Sequence, residues 1–189
     1  MASKTDICNL ALSAIGSKRV TAVPGEHERG RLCDLYYDVV RREVLHAHPW
    51  GRANKRATIA KDAIDPTSGY DHRYLLPADH IRIIAINKRT TRNWEIEDNY
   101  IVTHDDSPID VKYTHDLQDT TKFSPTLVQA ISTRLALYLG ERLADTSASK
   151  KEELRVTYEQ LLRDAKRFDG RERSSHRLAD TSWLTARGS

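Results

Sequence analysis

Residues 39–59 read VVRREVLHAHPWGRANKRATI, and within this stretch the chain changes its hydrophobic period. Up to His46 the apolar residues recur at helical spacing. Pro49 then stops the helix, because the residue before a proline disfavours helical dihedrals. Trp50 follows the stop directly and is expected to plug the end of a helical bundle against what comes next. Arg52–Ile59 suits a first strand. The reverse switch lies at Ser124-Pro125, a serine cap with proline at the first helical position. Strand and turn signals fill the middle, and helices flank it. The predicted fold is α+β. A small antiparallel helical bundle comes from residues 1–50 and 123–169, an inserted antiparallel β module occupies 51–122, and an extended C-terminal docking tail covers 170–189.

Working outward, four helices are expected at Ser3–Ile15, Glu26–His46, Ser124–Leu143 and Ser149–Phe168. The first has Ser3 at its cap, a stripe of Ile7, Leu10, Ala11, Ala14 and Ile15, and Gly16 as a left-handed stop. Leu32, Leu35, Tyr36 and Val39 form the stripe of the second, and Leu127, Val128, Ile131, Leu135 and Leu139 that of the third. Ser149 with Glu152 makes a capping box for the fourth, Leu154, Tyr158, Leu161, Ala165 and Phe168 its stripe, and Gly170 its end. In the middle, His80–Asn87 is the best strand, with Ile81, Ile83 and Ala85 on one face. Trp94–Glu97, Tyr100–Thr103 and Ile109–Thr114 follow, with Asp98-Asn99 as a tight hairpin.

The chain has 189 residues, enough for one domain with a small insert. A net charge of +3 is too small to argue for nucleic acid from total charge. Cys8 and Cys33 both sit inside helix-like stretches, so buried, reduced thiols are expected, with a disulfide as the lesser reading. The N-terminus lacks a secretory pattern, and no apolar run reaches bilayer length, so no membrane partner is expected.

Chemistry finds little to stand on. Of the eight histidines, His46 and His48 do not share a helical face, and His72, His80, His104 and His115 follow no ligand spacing. Satisfied or surface histidines, no metal and no cofactor are expected. Neither a phosphate-cradling glycine loop nor a nucleophile elbow occurs. Cys33 lies near His27 in sequence, but a core cysteine is the better reading. Glu95 and Glu97 share a strand face roughly 6–7 Å apart and imitate a glycoside hydrolase pair, as do Asp105 and Asp106. A solvated polar face, with Trp94 and Ile96 inside, explains the glutamates better. No catalytic residue is expected. The tail carries Arg171, Arg173, Arg177 and Arg187 beside Leu178, Trp183 and Leu184. Trp and Arg favour interfaces, so Arg177, Leu178, Trp183, Leu184 and Arg187 are the expected docking residues, with a merely disordered end as the next reading and phosphate binding as the least.

Four stretches resemble one family: ICNLALSAIG from Ile7, CDLYYDVVRREVLHAHPW from Cys33, GYDHRYLLPADHIRI from Gly69, and LVQAISTRLALYLGERLADT from Leu127. Together they look like tail tubular protein A, the head-to-tail adaptor or gatekeeper of short-tailed phages. The resemblance runs from about Ile7 to Phe168. Its most specific pieces are structural: Pro49 and Trp50 at the helix stop, and Tyr74, Pro77 and Asp79 in the turn that enters the long strand. Where the family often has an aromatic two residues after the Trp, this chain has Arg52. The resemblance implies a virion protein made in the host cytoplasm, forming a ring of twelve copies between the portal protein and the tail nozzle protein. DNA would pass through the bore without specific binding. Some members are credited with cell-wall or polysaccharide hydrolysis, which makes a glycan hydrolase the enzyme alternative.

Overall fold

The computed structural model describes residues 2–67, 69–88, 93–143 and 147–174. The fold is α+β, with helices α1 (Lys4–Ala14), α2 (Glu28–Ala47), α3 (Pro125–Gly140) and α4 (Ala148–Ser174). Between α2 and α3 lie strands β1 (Asn54–Ile59), β2 (His72–Leu75), β3 (His80–Ile86), β4 (Trp94–Glu97), β5 (Tyr100–Thr103) and β6 (Ile109–His115). Two compact units result. One is built on Tyr37–Phe123, the other on Lys4–Tyr36 and the chain from Ser124 onward. The second half of α2 therefore belongs with the strands.

In the helical unit, α1 packs on α3 and α3 on α4. Gly16 ends α1 at φ 73°, and the Ser17 and Gly16 N–H groups donate to the Leu12 and Ser13 carbonyls, the paired bonds of a left-handed cap. Ser124 caps α3 by accepting from the Leu127 N–H, with Pro125 at the first turn. The cap of α4 is Ser147, whose hydroxyl accepts from the Lys150 N–H, and not Ser149. Nor does Gly170 end this helix, which continues to Ser174. One glycine among good helix formers costs only about 1 kcal/mol and stops nothing by itself.

Two stripes are rotated from the expected ones. In α1 the buried face is Ile7, Cys8, Ala11 and Leu12, while Leu10 is exposed. Asn9 beside it holds the following connector, bonding both the N–H and the carbonyl of Val20. In α2 the buried residues are Cys33, Tyr37, Val40, Val44 and Leu45, whereas Leu35 is 63% and Val39 56% exposed. The buried stripe includes Arg41, only 2% exposed, a residue type that is almost never fully buried unless paired.

In the β unit, two three-stranded antiparallel sheets run in the orders β1-β6-β3 and β2-β5-β4. Residues from both share one core of Tyr74, Ile83, Ile86, Trp94, Ile101, Ile109, Val111 and Tyr113. The β4–β5 hairpin turns at Asp98, where φ is 51°, pairing Glu97 with Tyr100. β2 was not expected, since Tyr74 and its neighbours read as a turn. Irregular pairing of β3 with β6 between Ile83 and Ala85 brings Ile86 into the core. Ile96, expected inside, is 47% exposed.

The Arg41 guanidinium binds the Asp116 carboxylate, donates to the Leu117 carbonyl at 2.9 Å and reaches Asp38 at 3.2 Å. Removing one partner of a buried pair strands the other, at about 3–5 kcal/mol. Arg41→Ala should therefore lower the unfolding free energy obtained from urea melts by an amount in that range. A loss below about 1 kcal/mol would show that the pair carries little.

Candidate functional site

The motif residues that the sequence singled out fix separate points of the β unit, the stop of α2 and the connections between strands. Ala47 is the last residue of α2, and the Trp50 indole N–H donates to the Val44 carbonyl at 2.8 Å across the stop at Pro49. The His48 ring meets the Trp50 ring edge-on, with centroids 5.0 Å apart. Tyr74 is fully buried on β2, and its hydroxyl donates to the Asp105 carbonyl at 2.7 Å. The Leu76 N–H pairs with the Asn99 carbonyl, and the Pro77 carbonyl accepts from the His80 N–H. Asp79 closes the turn. Its carboxylate takes Lys55 of β1 at 2.7 Å and the Tyr113 hydroxyl of β6 at 3.0 Å, and its carbonyl accepts from the Asp116 N–H.

These contacts hold strands in register. The hydrogen bond from Lys55 holds the Asp79 carboxyl below its usual range, with the Tyr113 hydroxyl adding to it. Burial raises the Asp116 carboxyl, but the hydrogen bond and charge of Arg41 outweigh that and leave it lowered.

The glutamates expected to imitate a hydrolase pair, Glu95 and Glu97, are both exposed on β4. Burial first, and the carboxylate of Glu95 next, raise the neighbouring Tyr70 hydroxyl. Asp105 lies under the Tyr74 hydroxyl and accepts the Asn87 amide at 2.8 Å, a turn-fixing role. The β-unit histidines have partners: His80 with the Pro77 carbonyl, His115 with the Ala53 carbonyl, His104 with Asp71 and His72 near Asp65 and Asp106. Among the described residues no three His, Cys, Asp or Glu side chains are grouped to hold a metal ion. No described helix is long and apolar enough to cross a membrane.

The two cysteines meet each other rather than a histidine. Cys8 and Cys33 are both fully buried, and their thiols share a hydrogen bond. That bond with Cys33 first, and burial next, push the Cys8 thiol far up, while the same bond lowers Cys33. Both thiols are free, so the disulfide of the lesser reading is not formed, and the contact itself comes from helix packing between residues 25 apart in the chain (33 less 8).

Arg177, Leu178, Trp183, Leu184 and Arg187 lie outside the described residues. The surface that sequence reasoning missed is the outer face of α2, where Leu35 and Val39 stand one turn apart beside half-buried Leu32 and Tyr36. An amphipathic reading had turned this face inward. No protein-family model matches the chain, and no curated protein matches it.

The lowered carboxyls set a pH dependence. A depressed folded pKa contributes stability above the unfolded value, about 3.9, and loses it as pH falls through the folded one. Stability should thus fall below about pH 4. Asp79→Asn and Asp116→Asn should each be less stable at pH 7 and show a flatter decline between pH 5 and 2 in urea melts. Parallel curves for parent and variants would contradict the assignment.

Proposed function

We propose that this chain is a structural virion protein, a head-to-tail adaptor that assembles into a ring between the portal and the tail nozzle, with DNA passing through the bore. The observation that carries this reading is the exposed apolar face of α2. Single surface apolar residues are ordinary, but two large ones a turn apart, flanked by Leu32 and Tyr36, make a patch that suits a protein interface. Head-to-tail rings need two unlike surfaces on each subunit, and a helical unit beside a β unit supplies unlike chemistry. The motif residues that resemble tail tubular protein A serve as helix stop and strand joint, which is what a scaffold requires of them.

Mass in solution, alone and mixed with portal rings, tests the proposal. The parent chain should join the portal as a multimer. Leu35→Asp with Val39→Asp should keep the fold by circular dichroism yet abolish the ring. Retained assembly by the double variant would remove α2 from the interface. A glycan hydrolase would instead cleave cell-wall or capsular glycan as a free protein and lose that activity in Glu95→Gln with Glu97→Gln.

The tail is proposed as the portal-docking arm. Because α4 runs to Ser174, the informative truncation is after that residue rather than after Gly170. It should leave stability unchanged and weaken portal attachment by about tenfold or more, about 1.4 kcal/mol. Unchanged attachment would show that docking lies elsewhere.

A further inference from the structure

The chain has two cysteines in 189 residues, and they meet. Cys8 stands in the second turn of α1 and Cys33 in the second turn of α2, both fully buried and both free thiols. We propose that this pair is a redox latch, in which a small-molecule disulfide of the glutathione disulfide type oxidises the two thiols to a Cys8–Cys33 bond that ties α1 to α2. Packing alone explains why each cysteine is buried. It does not ask the two thiols of the chain to face each other.

Both cysteines belong to the helical unit, and a hydrogen bond joins their sulfurs across the seam between α1 and α2. Lys4, one turn before Cys8, bonds Asp34, the residue after Cys33, at 2.7 Å. This ion pair holds the same two turns together beside the thiols. Closing the sulfurs to the roughly 2.05 Å of a disulfide therefore joins groups that already touch. α1 starts at Lys4, and helix ends open first, which gives an oxidant its way to thiols that are otherwise shut in.

The two sulfurs have different parts. The hydrogen bond between them keeps the proton on Cys8 and favours the thiolate at Cys33, and the charge of Asp34 further opposes ionisation at Cys8. Cys33 is therefore the attacking sulfur. Its thiolate attacks one sulfur of the oxidant, the oxidant's S–S bond breaks, and one small thiol leaves with the electron pair and takes up a proton. Cys8 gives up its proton and attacks the Cys33 sulfur of this mixed disulfide, and the second small thiol leaves. Two cysteine thiols are oxidised to one disulfide, and one small disulfide is reduced to two thiols. Reducing surroundings leave the latch open, and oxidising ones close it.

Incubating the native, reduced full chain with glutathione disulfide, then alkylating the remaining thiols and weighing the intact chain, tests this. The expected product is two hydrogens lighter than the reduced chain, takes no alkyl group, and reverts with dithiothreitol. Closing the loop from Cys8 to Cys33 restricts the unfolded chain, so the oxidised protein should melt about 5–10 °C higher. Cys8→Ser should stop at the mixed disulfide, with one glutathione on Cys33, and Cys33→Ser should react about tenfold more slowly. Where a serine variant fails to fold, the mass and melting of the parent decide alone. Two thiols still alkylated in the native chain when a denatured sample has fully oxidised would overturn the proposal. So would cross-links between chains in place of the internal bond, a lower melting temperature after oxidation, or faster capture of glutathione by Cys8 than by Cys33.

Discussion

The buried guanidinium of Arg41 decides which way α2 faces. Desolvating an ion costs several kcal/mol, and a buried pair recovers this only when its remaining donors are also satisfied. Arg41 meets that condition with Asp116, the Leu117 carbonyl and Asp38. The partners at 116 and 117 follow β6, so the helix is rotated to bring Arg41 to the end of that strand. Tyr37, Val40 and Val44 turn inward with it. The same rotation leaves Leu35 and Val39 outside, although both are more hydrophobic than the residue that went in. One ion pair therefore fixes the interior of the β unit and the apolar surface of α2 together.

A second hub does for the strands what Arg41 does for the helix. Asp79 links β1 through Lys55 and β6 through Tyr113, while its own carbonyl receives the Asp116 N–H. Tyr74 spans the core to the Asp105 carbonyl, so the β2–β3 and β5–β6 connections are tied to buried or half-buried anchors. Two three-stranded sheets with strands of four to seven residues offer little ladder on their own. Side-chain ties at the connections make up part of what the short ladders lack.

The fold class, the β4–β5 hairpin and three helix ends were legible because local signals agreed: Pro49 after α2, Ser124-Pro125 before α3, Gly16 after α1 and Asp98-Asn99 in the hairpin, whereas both ends of α4 were misplaced. The helix faces were less legible. In α2 the stripe 32, 35, 36, 39 and the stripe 33, 37, 40, 44 are both apolar, and hydrophobic period alone cannot choose between them. The choice lies in Arg41 finding Asp116, 75 residues away. β2 escaped for a related reason, since its four residues pair only with a strand that starts 25 residues after it ends (100 less 75). The Cys8–Cys33 contact likewise depends on helix packing, which composition does not encode.

The strands at the outer edges of the smaller sheet are built against uncontrolled pairing. In the β2-β5-β4 sheet both outer strands are only four residues long, and on β2 the Arg73 carbonyl already accepts from the Asp62 N–H. Long, flat apolar edges invite uncontrolled pairing. Here Arg73, Glu95 and Glu97 punctuate them with charge, and Leu75 and Ile96 stand singly. Strand addition across so short and charged an edge would bring few hydrogen bonds and would desolvate charged side chains. Side-chain packing on α2 brings apolar burial without that conflict, at about 25 cal/mol for each Å² removed from water. Between the two surfaces, the apolar face of α2 is the one that offers large apolar side chains one turn apart for burial, and the short, charged strands are guarded against uncontrolled pairing.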